Sequence, residues 1–211
     1  YCGKYKYIEC DIKKGDNFDA RYLVFKRALP FNPKLYVSIA YRIKDENGNR
    51  YIIMEENTTK LVVFFPLQGE ETFLRFKING PYATTNTRHN LSDEPKNKID
   101  NQRILTETIF LYEDSLHCIR DLGYFDVNVL GLLPIDSDLT TKSGHPKAFY
   151  EATLKILKKA PFLPTIKKGL YALPSEALIV GSKELLELLN EEDTAAIFNG
   201  RNKWLDITIT A

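Results

Sequence analysis

The sequence is short of several things, and each shortage excludes something. Its three cysteines, Cys2, Cys10 and Cys118, are an odd number without close spacing. Such a set argues against a disulfide framework and fits a reducing compartment, so the cytoplasm is the expected location. The longest apolar run covers only Leu61 to Leu67, far below the ~18–20 residues that cross a bilayer, and no charged-then-apolar leader opens the chain. Charge of one sign is missing too: 29 Lys and Arg stand against 28 Asp and Glu, a net charge of +1. The whole-chain balance therefore gives no reason to expect nucleic acid or an acidic membrane as partner.

Glycines never cluster, the nearest two being Gly123 and Gly131. A phosphate-cradling loop needs several glycines together so that backbone N–H groups reach the anion, so a Walker loop and a dinucleotide fingerprint are both excluded. His89, His117 and His145 lie far apart, and the adjacent pair His117 and Cys118 would point ~100° apart on a helix, so no metal site is expected. Nothing local supports a nucleophilic Cys118, which reads as a small hydrophobe. The only methionine is Met54, so Tyr1 is not the product of an ordinary start codon and the chain is expected to be a piece of a longer protein.

What is present is ordinary globular material: 211 residues, 44% apolar and 27% charged, enough for one large domain or two small ones. From Tyr5 to Gly80 the apolar residues recur with period two, the mark of half-buried strands. In Leu35 to Arg42, residues Leu35, Val37, Ile39 and Tyr41 share one face. Asn47-Gly48, before Tyr51 to Met54, predicts a hairpin, because a type I′ turn needs positive φ at both central positions. Leu61 to Phe65 reads as a buried strand, and Phe73 to Asn79 as a strand with Leu74, Phe76 and Ile78 inward.

The polar segment Pro81 to Lys98 predicts a loop. Beyond it the period changes: Leu105, Ile109, Tyr112, Leu116 and Ile119 make one stripe of a helix from about Ile99 to Leu122, which Gly123 can end in the left-handed conformation. Asp126 is placed to cap a short turn through Leu132, and Pro146 opens a helix that ends before Pro161. Phe162 to Ile166 and Leu170 to Ala172 predict a small hairpin, Ser182 a cap for a leucine-rich helix through Leu189, and Trp204 to Thr210 a last strand. The expected fold class is α+β: a mixed, largely antiparallel sheet with a long packed helix, followed by a smaller α/β portion. A boundary in the Asp136 to Gly144 stretch divides the chain into residues 1–136 and 137–211.

The stretch from Asn79 to Asn90 stands out, because a strand runs into a Gly-Pro break and then a polar string holding a single arginine, Arg88. A guanidinium on a loop anchored at both ends presents five donors in a planar fork that suits phosphate oxygens. The alternative is that Arg88 pairs with Asp93, Glu94 or Asp100 and stiffens the loop. Lys96, Lys98, Arg103, Lys155, Lys158, Lys159, Lys167 and Lys168 offer a basic surface for nucleic acid, but interspersed acidic residues favour plain solvated charge.

Val62-Val63-Phe64-Phe65-Pro66, Phe73 to Asn79, Gly80-Pro81-Tyr82, Thr84 to Asn90, Leu122-Gly123, Leu132 to Asp136 and Pro161 to Thr165 together are similar to the region that follows the ATP-binding domain in sacsin-like, heat-shock-chaperone-like ATPases. The similarity runs from about Arg21 to Asn190. In the ninety-kilodalton heat-shock chaperones an arginine of the middle domain reaches the ATP γ-phosphate held by the preceding domain. Asn86-Thr87-Arg88-His89 resembles a shortened counterpart of that string, with Arg88 matching the arginine, Asn86 the asparagine, and His89 standing where the family has an acidic residue.

The resemblance implies a nucleotide-sensing, ATPase-coupling region that needs no cofactor of its own. ATP and magnesium would belong to an upstream ATP-binding domain, its first partner, and a client protein would be a second. The piece alone is then no enzyme, while the parent would be an ATPase. The alternative of a different class is a protein-interaction or nucleic-acid-binding module in which Arg88 is merely structural.

Overall fold

The computed structural model of the chain describes residues 6–179 and 183–209. Strands β1 (Tyr7–Lys14), β2 (Asn17–Leu29), β3 (Asn32–Glu46), β4 (Asn49–Ile53), β5 (Lys60–Val63), β6 (Phe65–Glu71) and β7 (Lys77–Asn79) form one sheet. Its order is β1-β2-β3-β7-β5-β6, with β4 also paired to β3. Only β5 and β7 run parallel; every other pair is antiparallel. At 15 residues β3 is long enough to hold β7 at Ser38 to Ala40 and β4 at Arg42 to Glu46. The β3–β4 turn is the expected one, with Asn47 at φ 52° and Gly48 at φ 77°.

Helix α1 (Pro95–Asp121) packs on β2 and β3. Leu105, Tyr112, Leu116 and Ile119 are buried and Ile109 packs beside them, which is the stripe the spacing predicts. Gly123, at φ 76°, ends the helix. Its N–H reaches the Arg120 carbonyl and the Tyr124 N–H reaches the Ile119 carbonyl, the paired bonds of a Schellman ending. Next comes α2 (Val127–Leu132), whose first turn is capped by Asp126 through the Val129 N–H at 3.1 Å. A 3₁₀ turn at Ser137–Thr141 leads to α3 (His145–Lys159), which packs on α1.

The smaller α/β portion follows. Strands β8 (Leu163–Pro164) and β9 (Tyr171–Ala172) pair as the expected hairpin, and β10 (Ala177–Leu178) pairs in parallel with β11 (Lys203–Trp204) across α4 (Lys183–Leu188) and α5 (Glu191–Ile197). Trp204 is buried there, edge-on to Phe198 at 5.8 Å between ring centres. One cluster of buried apolar side chains runs from Leu23 to Phe162, through both sides of the Asp136 to Gly144 stretch.

Several boundaries differ from expectation. Leu61 is buried, but Leu61 to Phe65 is not one buried strand: the chain reverses at Phe64, which takes φ 61°, and Phe64 and Phe65 are 88% and 71% exposed. Phe65 then starts β6, a strand the apolar pattern hides. Leu74, Phe76 and Ile78 do face inward, yet only Lys77–Asn79 pairs as a strand, because Phe73 sits at φ 57° and the preceding stretch bonds irregularly to Glu55 and Thr59. Leu35 lies exposed beyond the end of the core. Helix α1 starts at Pro95 rather than near Ile99, since proline in the first turn lacks only an N–H that would be unpaired anyway. The last strand stops at Trp204 and gives way to a turn at Ile207 and Thr208. Ser182 and Thr210 lie outside the described residues.

A chain of aromatic rings joins the layers. Phe25 meets Tyr41 at 6.0 Å, Tyr41 meets Phe76 at 5.0 Å, Phe76 stacks on Tyr112 at 5.6 Å and 11°, and Tyr112 meets Phe149 at 4.9 Å. Buried hydroxyls lock it. Tyr41 Oη lies 2.7 Å from Ser115 Oγ, and Tyr112 Oη lies 2.7 Å from Thr153 Oγ1. Ser115 and Thr153 each donate their single proton to a carbonyl of their own helix, at 2.8 Å to Tyr112 and Phe149 respectively. Both tyrosines are therefore the donors, and burial holds their phenols protonated by pushing the pKa of each up.

Phe76 touches both the sheet and the helices, so Phe76→Ala is expected to cost about 3–5 kcal/mol, whereas Tyr112→Phe, which leaves Thr153 bonded to its own helix, is expected to cost only about 0.5–1.5 kcal/mol. Urea unfolding of the two variants checks the contrast; equal losses would mean that the ring stack does not hold the layers together.

Candidate functional site

The loop carrying Arg88 begins where β7 ends. Gly80 is required at its root: a Cβ there would lie 2.7 Å from Tyr82 Cε2 and 3.2 Å from Val37 Cγ1. Tyr82 is buried, and its Oη lies 2.9 Å from Thr108 Oγ1 on α1; the Thr108 hydroxyl donates to the Ile104 carbonyl at 2.8 Å, so this tyrosine too is the donor. Asn101 of α1 then clamps the next residue at both polar groups. Its Oδ1 accepts from the Ala83 N–H at 2.8 Å and its Nδ2 donates to the Ala83 carbonyl at 2.9 Å.

Beyond the clamp the chain makes a short two-armed turn. Thr84 bridges Leu91, the Thr85 N–H donates to the Asn90 carbonyl at 3.0 Å, and the Arg88 N–H donates to the Thr85 carbonyl at 2.9 Å. Edge strand β6 holds the returning arm: the Gly69 N–H donates to the His89 carbonyl at 2.9 Å, and Glu70 Oε1 accepts from the Leu91 N–H at 2.8 Å. Arg88 takes φ 54°, a left-handed conformation that non-glycine residues adopt at a cost.

Arg88 is exposed at the tip of this turn, and among the described residues its guanidinium makes no ion pair or side-chain hydrogen bond. The ion pairs open to it in the sequence do not form with it: Asp100 lies 3.6 Å from Arg103, and Glu94 accepts from Asn97 at 3.1 Å. Asn86, two residues earlier, is exposed on the same turn, as is His89. Sequence reading finds Arg88 and Asn86 but not the residues that brace them, Gly69, Glu70 and Asn101, which are distant in the chain and of ordinary types.

A second polar cluster escaped the sequence altogether. On the sheet face away from α1, Tyr22 Oη donates to Glu55 at 2.8 Å and accepts from Lys77 Nζ at 2.5 Å, with Lys77 also 3.3 Å from Glu55. Burial is the main cause that raises the Tyr22 phenol above its ordinary pKa. Strands β2 and β7 and the loop after β4 bring the trio together, so no local motif announces it.

An apolar cleft of about 490 Å³ lies elsewhere, between the β8–β9 hairpin and α4, lined by Ile166, Leu170, Tyr171, Leu186 and Trp204. None of its lining residues belongs to the Arg88 loop. Among the described residues no three His, Cys, Asp or Glu side chains converge as a metal site would need, and Cys118 is fully buried in the core. No described helix is long and apolar enough to cross a membrane. No known protein family, curated protein or solved structure matches this chain.

His145, at the start of α3, packs edge-on to Tyr82 at 5.0 Å between ring centres, and among the described residues its buried Nε2 has no hydrogen-bond partner. Burial lowers its pKa to about 4, against the ordinary 6.5. The unfolded chain therefore takes up this proton first as pH falls. Stability from this group is full above pH 6.5 and declines toward pH 4, by roughly 3 kcal/mol in all. In His145→Phe, which keeps a ring against Tyr82, the unfolding free energy is expected to fall less steeply between pH 6.5 and 4 than in the parent. Identical slopes in denaturant titrations across that range would contradict the assignment.

Asn101→Ala leaves the Ala83 N–H without its acceptor, while the Ala83 carbonyl keeps the Ser92 N–H at 3.0 Å, and is expected to cost about 1–3 kcal/mol. Amide exchange should accelerate at Ala83 first, with β2 and β3 unchanged.

Proposed function

We propose that the chain is the middle, ATPase-coupling and nucleotide-sensing region of a sacsin-like chaperone or remodelling ATPase in the cytoplasm, with Arg88 reaching the phosphate of ATP held by a domain upstream. The observation that carries this reading is the state of Arg88: an exposed guanidinium with no acidic partner among the described residues, on a turn braced by β6 and α1. A braced backbone loses little freedom on meeting a ligand, and a fork without an internal carboxylate keeps all its donors for an anion. Asn86 on the same turn supplies a second polar group facing solvent.

In this reading ATP and magnesium belong to the upstream domain, and the chain alone turns nothing over. The chemistry assigned to Arg88 is electrostatic. Negative charge shifts onto the leaving-group oxygen as its bond to phosphorus stretches, and a guanidinium placed beside that oxygen stabilises the transition state more than the ground state.

A specific observation favours a second reading, a protein-interaction module. The reversal between β5 and β6 leaves Phe64 and Phe65 both exposed to solvent, with Phe64 in the left-handed region, and exposed aromatics on a strained turn are a usual anchor for a partner. A client protein or a neighbouring domain would fit there. The basic residues support a nucleic-acid role less well, since Arg103 and Lys155 lie 3.6 and 3.5 Å from Asp100 and Glu113.

In the full-length protein, Arg88→Ala is expected to lower ATP turnover on the order of 10- to 10³-fold while nucleotide affinity changes little. Arg88→Lys should recover only part of the loss, because it keeps the charge without the planar fork. Thermal unfolding of the chain should shift by no more than about 0.5 kcal/mol, as for other exposed substitutions. Unchanged turnover in Arg88→Ala would remove the phosphate reading and leave the interaction reading.

A further inference from the structure

Gly69 sits on β6, the edge strand, in an extended stretch where glycine has no conformational advantage. The sequence gives no reason for it, and glycine inside a strand usually marks a close backbone approach. The structure supplies that approach. A Cβ built on Gly69 would overlap Asn90 Oδ1 and lie 2.9 Å from Asn90 Cγ and 3.2 Å from the His89 carbonyl oxygen. The same backbone pair is joined by the bond from the Gly69 N–H to the His89 carbonyl. The returning arm of the Arg88 turn thus occupies the volume that any side chain at position 69 would fill.

We infer that Gly69 is a positioning residue for Arg88: the missing side chain lets His89 and Asn90 seat on β6, and that seat sets where the guanidinium points. The inference rests on the reading of Arg88 as a phosphate contact, since only then does its position matter to a reaction. Three features make the seat specific. Glu70 fixes the following residue, Leu91, so the arm is held at two successive points of β6. Asn90 also carries the carbonyl that closes the turn onto Thr85. Arg88 lies one residue from His89, so a displaced arm cannot leave Arg88 in place.

The two overlaps differ in how they can be relieved. Asn90 is exposed, and its side chain can rotate away from a methyl group. The His89 carbonyl belongs to the backbone and yields only if the arm moves. Gly69→Ala should therefore act mildly and through Asn90, whereas Gly69→Val, which adds two more carbons toward the arm, should act strongly and through the backbone.

The test uses steady-state ATP turnover in the full-length protein and amide spectra of this chain labelled with ¹⁵N. Gly69→Val is expected to lower turnover about 10-fold with the nucleotide KM unchanged, and to move the Arg88 and His89 amide signals while those of β2 and β3 stay. In the Arg88→Ala background the same substitution should cost no further turnover. Combining Gly69→Ala with Asn90→Gly should restore both turnover and amide positions relative to Gly69→Ala alone, and this milder pair serves where Gly69→Val fails to fold. Unmoved Arg88 and His89 amides, or an equal further loss in the Arg88→Ala background, would overturn the inference. If Arg88→Ala itself leaves turnover at the parent rate, the phosphate reading fails, and the amide positions still decide whether Gly69 sets the turn.

Discussion

Three buried tyrosine hydroxyls, each donating to a serine or threonine on a helix, fix how this molecule is assembled. Tyr41 ties β3 to Ser115, Tyr82 ties the root of the Arg88 loop to Thr108, and Tyr112 ties α1 to Thr153 of α3. Each acceptor spends its own proton on a carbonyl of its helix, so each bond has only one direction. Apolar contact alone would let α1 slide or rotate over the sheet with little penalty, because the hydrophobic effect has no direction. A hydroxyl pair inside the core allows no such shift, since an unpaired phenol there would lose its bond without gaining one to water. The position of the loop relative to β6 follows from the position of α1.

Away from α1 the sheet is held differently. Arg21 bonds to Asp11 on β1 and Asp45 on β3, while Arg50 on β4 bonds to Asp45 and Glu9. Asp11 faces Arg21 and Asp45 faces Arg50 directly across their strand pairs. The carboxylates are exposed and the two arginines half-buried, so each pair is still open to water and weak. Their value is register: a slip of one residue would set each charge against the wrong neighbour and turn the apolar face of every strand outward.

Much of this was legible in the chain. Period two in β3, Asn47-Gly48 in its hairpin, the stripe from Leu105 to Ile119, Gly123 at the helix end and Asp126 as a cap are local chemistry, and local chemistry is what a linear reading sees. The reversal at Phe64 was not legible, because two phenylalanines after two valines spell a buried strand and no glycine or asparagine marks the turn. Arg88 was visible as the lone arginine of a polar loop. Its surroundings were not, since Gly69 and Asn101 reach it from 19 and 13 positions away in the chain. The trio of Tyr22, Glu55 and Lys77 needs three separate segments to meet, and no spacing rule encodes that.

Trp204 has a practical consequence for optical work on this protein. It is the only tryptophan among 12 tyrosines, and it is buried in the small β10–β11 sheet against Phe198, far along the chain from the aromatic column through Phe76. Indole fluorescence is thus a reporter of the C-terminal portion alone, whereas far-ultraviolet circular dichroism is dominated by α1 and the large sheet. Followed together through one denaturation, the two signals coincide only when both portions melt as a single cooperative unit.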